Sequence, residues 1–92
     1  MAVRFKNTTE GVAVLAESGS FHGAILTAGS DAATLILYDN ASTSSGTVIA
    51  KLAASAANVT VSWTPDEAMG VSNGIYAAVT GTSPSATICY KP

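Results

Sequence analysis

Residues 35–38, Leu-Ile-Leu-Tyr, are four large apolar side chains in a row, and an Asp-Asn pair ends the run at once. A run this short beside turn-forming residues is typical of a β-strand, because a helix needs ten residues or more. Side chains along a strand point alternately to opposite faces, so Leu35 and Leu37 share one face, and Ile36 and Tyr38 share the other. Both faces of this strand carry apolar side chains that must be shielded from water. A chain of 92 residues is long enough to bury one face under a second sheet, so the other face needs another part of the chain or another copy.

The rest of the chain repeats this strand pattern at a spacing of about ten residues. Apolar and polar residues alternate within each stretch, and Gly, Ser, Asn and Asp separate the stretches, which is typical of an all-β domain. The six further strand-like stretches cover residues 11–18, 20–29, 46–54, 58–64, 73–81 and 85–92. Residues 65–68 could form one helical turn with Thr64 as its cap.

The number and length of these strands predict the fold class. Seven to eight short strands fit an all-β fold, a small antiparallel β-sandwich or jelly roll, and a small barrel is the alternative. Residues 11–92 are expected to form this single domain. The predicted core residues are Phe21, Ile25, Leu35, Leu37, Tyr38, Trp63, Ile75 and Ile88.

Residues 1–10 are polar and are predicted to form an N-terminal arm or an irregular first strand. They hold two of the four basic residues, Arg4 and Lys6, on either side of Phe5. One interpretation is a frayed terminus, since the first residues of a domain are often poorly ordered. The other is an arm that docks on a neighbouring subunit or on an acidic surface.

Charged residues are scarce, at 11% of the chain against about 25% in ordinary soluble domains. Such a surface favours a subunit that is partly covered by companions over a free monomer. With four basic residues and a net charge of −2, the chain offers few phosphate contacts, so no nucleic-acid partner is expected. No membrane is expected either, because no apolar run is long enough to cross one, and the polar N-terminus predicts synthesis in the cytoplasm.

The polar residues form no recognisable catalytic, cofactor or metal-binding pattern, so the sequence predicts a protein that is not an enzyme. The one histidine, His22, lies in a strand and is predicted to be a hydrogen-bonded structural residue. Cys89 stands alone, which excludes an intrachain disulfide, and it is predicted to be a small buried residue. Trp63 alternates with Val59 and Val61, which favours a core position over an exposed ring that stacks on a sugar.

Two longer segments, TLILYDNASTSSGTVIAKL and GIYAAVTGTSPSATICYKP, have a suggestive order. An apolar strand ends in Tyr-Asp, a Ser/Thr/Gly loop and a Gly-x-x-Ile-Ala strand follow, and Gly-Ile-Tyr, a Val-Thr-Gly turn and a closing strand complete the series. Over residues 11–91 this order resembles the small all-β virion proteins of tailed bacteriophages that decorate, or cement, the capsid. The resemblance implies a sandwich or jelly roll that binds the outside of the phage head and stabilises it, without catalytic residues.

The resemblance also implies partners and a location. We expect a homo-oligomer, a homotrimer rather than a homodimer, bound to the major capsid protein on the virion surface. The alternative is a head-fibre or tail-associated virion protein that contacts the host surface. The expected interface residues are Arg4, Phe5, Lys6, Tyr76 and Ala78. The small side chains of Ala77 and Ala78 beside Tyr76 would let copies pack closely.

Overall fold

The computed structural model describes residues 3–92, which form nine strands and no helix. The strands are β1 (Arg4–Thr8), β2 (Val12–Leu15), β3 (Gly19–Thr27), β4 (Ala33–Tyr38), β5 (Val48–Ala54), β6 (Thr60–Trp63), β7 (Met69–Val71), β8 (Ile75–Thr80) and β9 (Ser85–Lys91). Together they build two antiparallel sheets. Sheet I has the strand order β1-β9-β3-β6, with β7 also paired to β3, and sheet II has the order β2-β8-β4-β5. The predicted all-β sandwich is confirmed.

The connectivity is that of a jelly roll. With β7 set aside, the first four strands pair with the last four in reverse order: β4 with β5, β3 with β6, β2 with β8 and β1 with β9. The chain is therefore one long antiparallel hairpin that is rolled up so that successive pairs fall in alternate sheets. The N-terminal segment is a regular edge strand of this roll, in register with β9 from Arg4↔Tyr90 to Thr8↔Ala86.

The core lies between the two sheets and is made of alternate residues of their inner faces. In β4, Leu35 and Leu37 are fully buried, while Ile36 and Tyr38 on the other face are half-buried. Five of the eight predicted core residues are fully buried: Phe21, Leu35, Leu37, Ile75 and Ile88. Tyr38 is only half-buried, because its face is the outer face of sheet II.

Ile25 was predicted in the core and is instead 45% exposed. The reason is a β-bulge in β3, where Phe21 pairs with Tyr90 but Gly23 already pairs with Cys89, so that one residue is extra. A bulge reverses the inward and outward alternation beyond it. Gly23 permits the bulge, since its φ of 149° is readily available to glycine.

Trp63 was also predicted in the core, and its side chain is 41% exposed. It pairs with the buried Ala24, which places it on the inner side of sheet I as expected. Its ring stacks on Phe21 with the centroids 5.8 Å apart. However, β6 is an edge strand, so the outer part of the ring has no neighbouring strand to cover it.

The helical turn suggested for residues 65–68 is wrong. The segment forms bends without a helix, and the chain then enters β7, a short strand that the sequence did not predict. The pairing Gly19↔Val71 to Phe21↔Met69 draws this segment back along β3. Tertiary pairing thus outweighs the local capping preference of Thr64 and Glu67.

Asp39, directly after β4, holds the loop between β7 and β8. Its carboxylate accepts backbone N–H groups from Ser72 at 3.3 Å, Asn73 at 2.8 Å and Gly74 at 3.3 Å. The hydrogen bond from Asn73, and less strongly those from Ser72 and Gly74, hold the pKa of this carboxyl below its usual value of 3.8, although partial burial opposes the shift. The ionised carboxylate therefore stabilises the fold.

Replacing Asp39 with asparagine should lower the free energy of unfolding by about 1 kcal/mol at neutral pH, a modest value because the group is partly exposed. Because the pKa is lowered in the folded protein, this stabilisation is complete above 3.8 and is lost as the pH falls through the folded-state pKa. Denaturant unfolding from pH 7 to pH 2 should thus show the wild type and Asp39→Asn converging in acid. Asp31→Asn, at an exposed loop carboxylate, is the control, and an equal loss in both variants would contradict the role of Asp39.

Candidate functional site

No group of three or more His, Cys, Asp or Glu in residues 3–92 is arranged to hold a metal ion. His22 Nε2 lies 3.0 Å from Ser20 Oγ, which confirms the predicted hydrogen-bonded histidine. Within the same residues no helix is long and apolar enough to cross a membrane.

The loop after β4 is organised by its own side chains. Asn40 Oδ1 accepts the backbone N–H groups of Ser42 at 2.9 Å and Thr43 at 3.0 Å, and its Nδ2 donates to the carbonyl of Ser45 at 3.2 Å. Asp39 is engaged with the β7–β8 loop. These polar groups are used in shaping the turn.

The outer face of sheet I spans four strands and is uncharged over most of its area, with Lys91 of β9 at one end. Register places eight residues on this surface, called face I: Phe5, Asn7, Ile25, Thr27, Thr60, Ser62, Thr87 and Cys89. Hydrogen bonds between side chains join Thr87 to Asn7 and Thr27 to Thr60 across neighbouring strands. Phe5 is 68% exposed and Ile25 45% exposed, so two large apolar side chains stand among small polar ones. Cys89, predicted to be buried, is half-buried on this face because Ile88 takes the inward position.

The outer face of sheet II carries the charged Lys51 on its edge strand β5. The row beside Ile36 contains Ala78 on one side and the exposed Lys51 on the other. A second row joins Tyr38 to Tyr76 and to Val48, which is 51% exposed. This face, called face II, carries the outer half of the Leu-Ile-Leu-Tyr strand, which the fold leaves half-covered.

One side of the sandwich, called the β1 side, is formed by the edge strands β1 and β2. Two open depressions lie there, of about 360 Å³ beside Lys6 and Glu10 and about 420 Å³ beside Arg4 and Glu17. Arg4 and Lys6 pair with Tyr90 and the buried Ile88, so they lie on the inner side of sheet I, while Phe5 lies on face I. Along the outer edge of β1, the backbone N–H and C=O groups have no strand of residues 3–92 beside them.

The opposite side, called the β6 side, is formed by β6 and β5. A smaller depression of about 240 Å³ lies there between the exposed ring of Trp63 and the β5 residues Ile49, Ala50 and Lys51. The loop after β6 carries Asp66 and Glu67, both exposed. This acidic loop and the basic β1 therefore lie at opposite edges of the same sheet.

The five residues predicted at an interface fall on two different surfaces. Arg4, Phe5 and Lys6 are exposed on β1, whereas Tyr76 and Ala78 are half-buried on face II. The proposed close packing through Ala77 is wrong, because Ala77 is fully buried in the core. The sequence reasoning missed Ile25, hidden by the bulge, and Trp63, whose exposure depends on β6 being an edge.

Comparison with protein-family models, with curated proteins and with solved structures finds no match to this chain.

Proposed function

We propose that this chain is a structural virion protein of a tailed bacteriophage, a decoration subunit that binds the outside of the head as a homo-oligomer and stabilises it. The observation that carries the proposal is face I, an uncharged surface across four strands with Phe5 and Ile25 exposed. The centres of protein contacts are depleted in charged residues, so a broad uncharged area with two exposed apolar side chains is suited to a permanent contact. Face I is assigned to the major capsid protein.

The architecture supports the same proposal. Jelly rolls are frequent among viral capsid proteins and lectins, although a fold by itself does not determine a function. The body is a thin slab of 35 × 25 × 18 Å, a shape that presents a broad face to a shell. A symmetric oligomer on such a shell gains affinity because several modest contacts form together.

Binding to purified, expanded and empty heads of tailed phages tests the proposal. The expected result is saturable co-sedimentation, ordered density at symmetry positions by cryo-electron microscopy, and a higher temperature of head disruption. Ile25→Asp places a charge in the middle of face I and should abolish binding, whereas Ala53→Asp, at an exposed position on face II, should not. Equal binding by both variants would show that face I is not the contact. A wild-type protein that binds no phage head would overturn the proposal.

The second candidate is a head-fibre or tail-associated protein that contacts the host surface, and the exposed ring of Trp63 favours it. A sugar can stack on such a ring, and Lys51 beside it offers hydrogen-bond donors. Trp63 is the single tryptophan, so its fluorescence reports directly on this site. A saturable change on titration with host-surface glycans, without head binding, would favour this candidate.

A further inference from the structure

We propose that copies of this chain join head to tail, with β1 of one copy adding as an antiparallel strand to β6 of the next. The inference rests on the homo-oligomer of the proposed function and specifies its interface. Both strands are unpaired on their outer edges, and their lengths match, five residues in Arg4–Thr8 and four in Thr60–Trp63. Exposed edges of this kind readily accept another strand.

Strand direction allows this contact. Each neighbouring pair in sheet I is antiparallel, and three such steps lead from β1 through β9 and β3 to β6. β1 and β6 therefore run in opposite directions. A second copy in the same orientation places its β1 antiparallel to β6 of the first, so one sheet continues into the next without reversal.

Charge complementarity selects a second copy as the occupant. Antiparallel pairing brings the start of β1, with Arg4, to the end of β6, where Asp66 and Glu67 follow in an exposed loop. Lys6 lies on the same side of β1 as Arg4. Arg4 of one copy is thus the basic residue nearest the acidic loop of the next, with Lys6 two residues farther along β1, and this orients the copies.

In sheet II the acidic residues lie on the β1 side and the basic residue lies on the β6 side, which is the reverse of sheet I. The two edges of sheet II are therefore also complementary in charge. Its edge strand β2 lies between Glu10 and Glu17, and its opposite edge strand β5 carries the exposed Lys51. A head-to-tail contact therefore also brings this acidic edge of one copy to the basic edge of the other. In each of the two sheets, unlike charges face each other.

The register between β1 of one copy and β6 of the next must place inward side chains opposite inward side chains. Arg4 and Lys6 lie on the inner side of sheet I, as do Trp63 and Val61, so the matching register is Arg4↔Trp63 and Lys6↔Val61. The exposed indole ring then lies beside a guanidinium, a favourable cation–π arrangement.

The same register brings apolar groups on face I together. Phe5 pairs with Ser62 of the neighbouring copy, and Ser62 pairs with Ile25 within its own sheet. A phenylalanine ring reaches across a small serine, so the two exposed apolar side chains of face I come together. The contact thus covers much of the Trp63 ring, whereas Phe5 and Ile25 touch each other only from the side and keep their outward surfaces on face I.

A contact between two different edges is heterologous, and copies joined in this way close into a ring when the rotation permits. A rotation of about 120° between successive copies closes a ring of three, which is the homotrimer expected from the sequence. No free edge of sheet I then remains. The free protein is expected to have about three times the 9.2 kDa mass of the chain by analytical ultracentrifugation and native mass spectrometry.

Charge reversal tests the two edges separately. Arg4→Glu with Lys6→Glu, and separately Asp66→Lys with Glu67→Lys, should each weaken assembly by about tenfold or more, because like charges then face each other. All four reversals in one chain should restore the wild-type oligomer. A monomeric wild type, an unaffected Asp66 and Glu67 variant, or a failure of the fourfold variant to reassemble would overturn the interface.

A mixture of the two double variants gives a sharper test. One variant has acidic residues on both edges and the other has basic residues on both, so favourable contacts require that they alternate. Alternation closes only rings with an even number of copies, so an equimolar mixture should give dimers or tetramers but no trimer. A mixed trimer as stable as the wild type would overturn the head-to-tail arrangement.

Single reversals supply matched controls. Arg4→Glu is compared with Lys91→Glu, and Glu67→Lys with Asp31→Lys, so that each pair changes the net charge equally. Only the first member of each pair should shift the mass. The mass of the free protein tests this interface, whereas head binding tests the proposed function. A trimer that does not bind phage heads would support the interface and contradict the proposed function.

Discussion

Leu35→Ala should lower the free energy of unfolding by about 3 kcal/mol, and Ile36→Ala by about 1 kcal/mol. The two side chains are neighbours in β4, but Leu35 is fully buried between the sheets and Ile36 is half-buried on face II. Removing a buried leucine leaves a cavity, because the opposite sheet closes over it only in part. For a domain of this size, a loss of about 3 kcal/mol corresponds to a drop of roughly 10–20 °C in melting temperature.

Thermal and denaturant unfolding at one fixed protein concentration measure both variants, since the stability of an oligomer depends on concentration. Leu37→Ala serves as a second inner-face substitution and should behave like Leu35→Ala, because Leu37 is also fully buried. Equal losses for Leu35→Ala and Ile36→Ala would show that both faces of the strand are equally covered in solution. In that case face II, and not only the strand edges, would be an interface between copies.

The sequence predicts those parts of the fold that depend on the local pattern of apolar and polar residues, and not those that depend on strand pairing. Alternation within β4 and β8 identifies strands and their inner residues, because one face of each is buried by the opposite sheet. The bulge at Gly23 is a property of the pairing between β3 and β9, so the local pattern around Ile25 could not show it. A one-residue shift was enough to move Ile25 from the core to the surface.

The candidate surfaces depend even more on tertiary neighbours. Trp63 has an inward register in an apolar strand, and only the position of β6 at the edge of sheet I leaves its ring exposed. Arg4 and Lys6 could be seen as a basic pair in the sequence. That they lie at the opposite edge from Asp66 and Glu67 became visible only with the strand order. Composition thus predicted a surface that is partly covered, and topology shows which edges of the sandwich carry opposite charges.

Gly74→Ala should be strongly destabilising, with a loss of about 2–5 kcal/mol. Gly74 has a φ of 144°, a backbone conformation that residues with a side chain rarely adopt. A Cβ atom at this position would lie 2.3 Å from the carbonyl oxygen of Leu15 and 3.1 Å from the Cα of Ala41. These atoms belong to the backbone, so the end of β2 and the loop after β4 would both have to move.

The same movement would disturb the Asp39 carboxylate, which accepts the backbone N–H groups of Asn73 and Gly74. Gly70→Ala, only four residues away, is the matched control, because its added Cβ would have no atom within 4 Å and needs no unusual φ. It should be close to neutral in denaturant unfolding, since alanine also restricts the unfolded chain. A domain of this length has about 5–14 kcal/mol of stability, so Gly74→Ala should remove a large share of it. If the two variants unfolded at the same denaturant concentration, the junction of β2, β4 and β8 around Gly74 would not be the rigid point that its geometry implies.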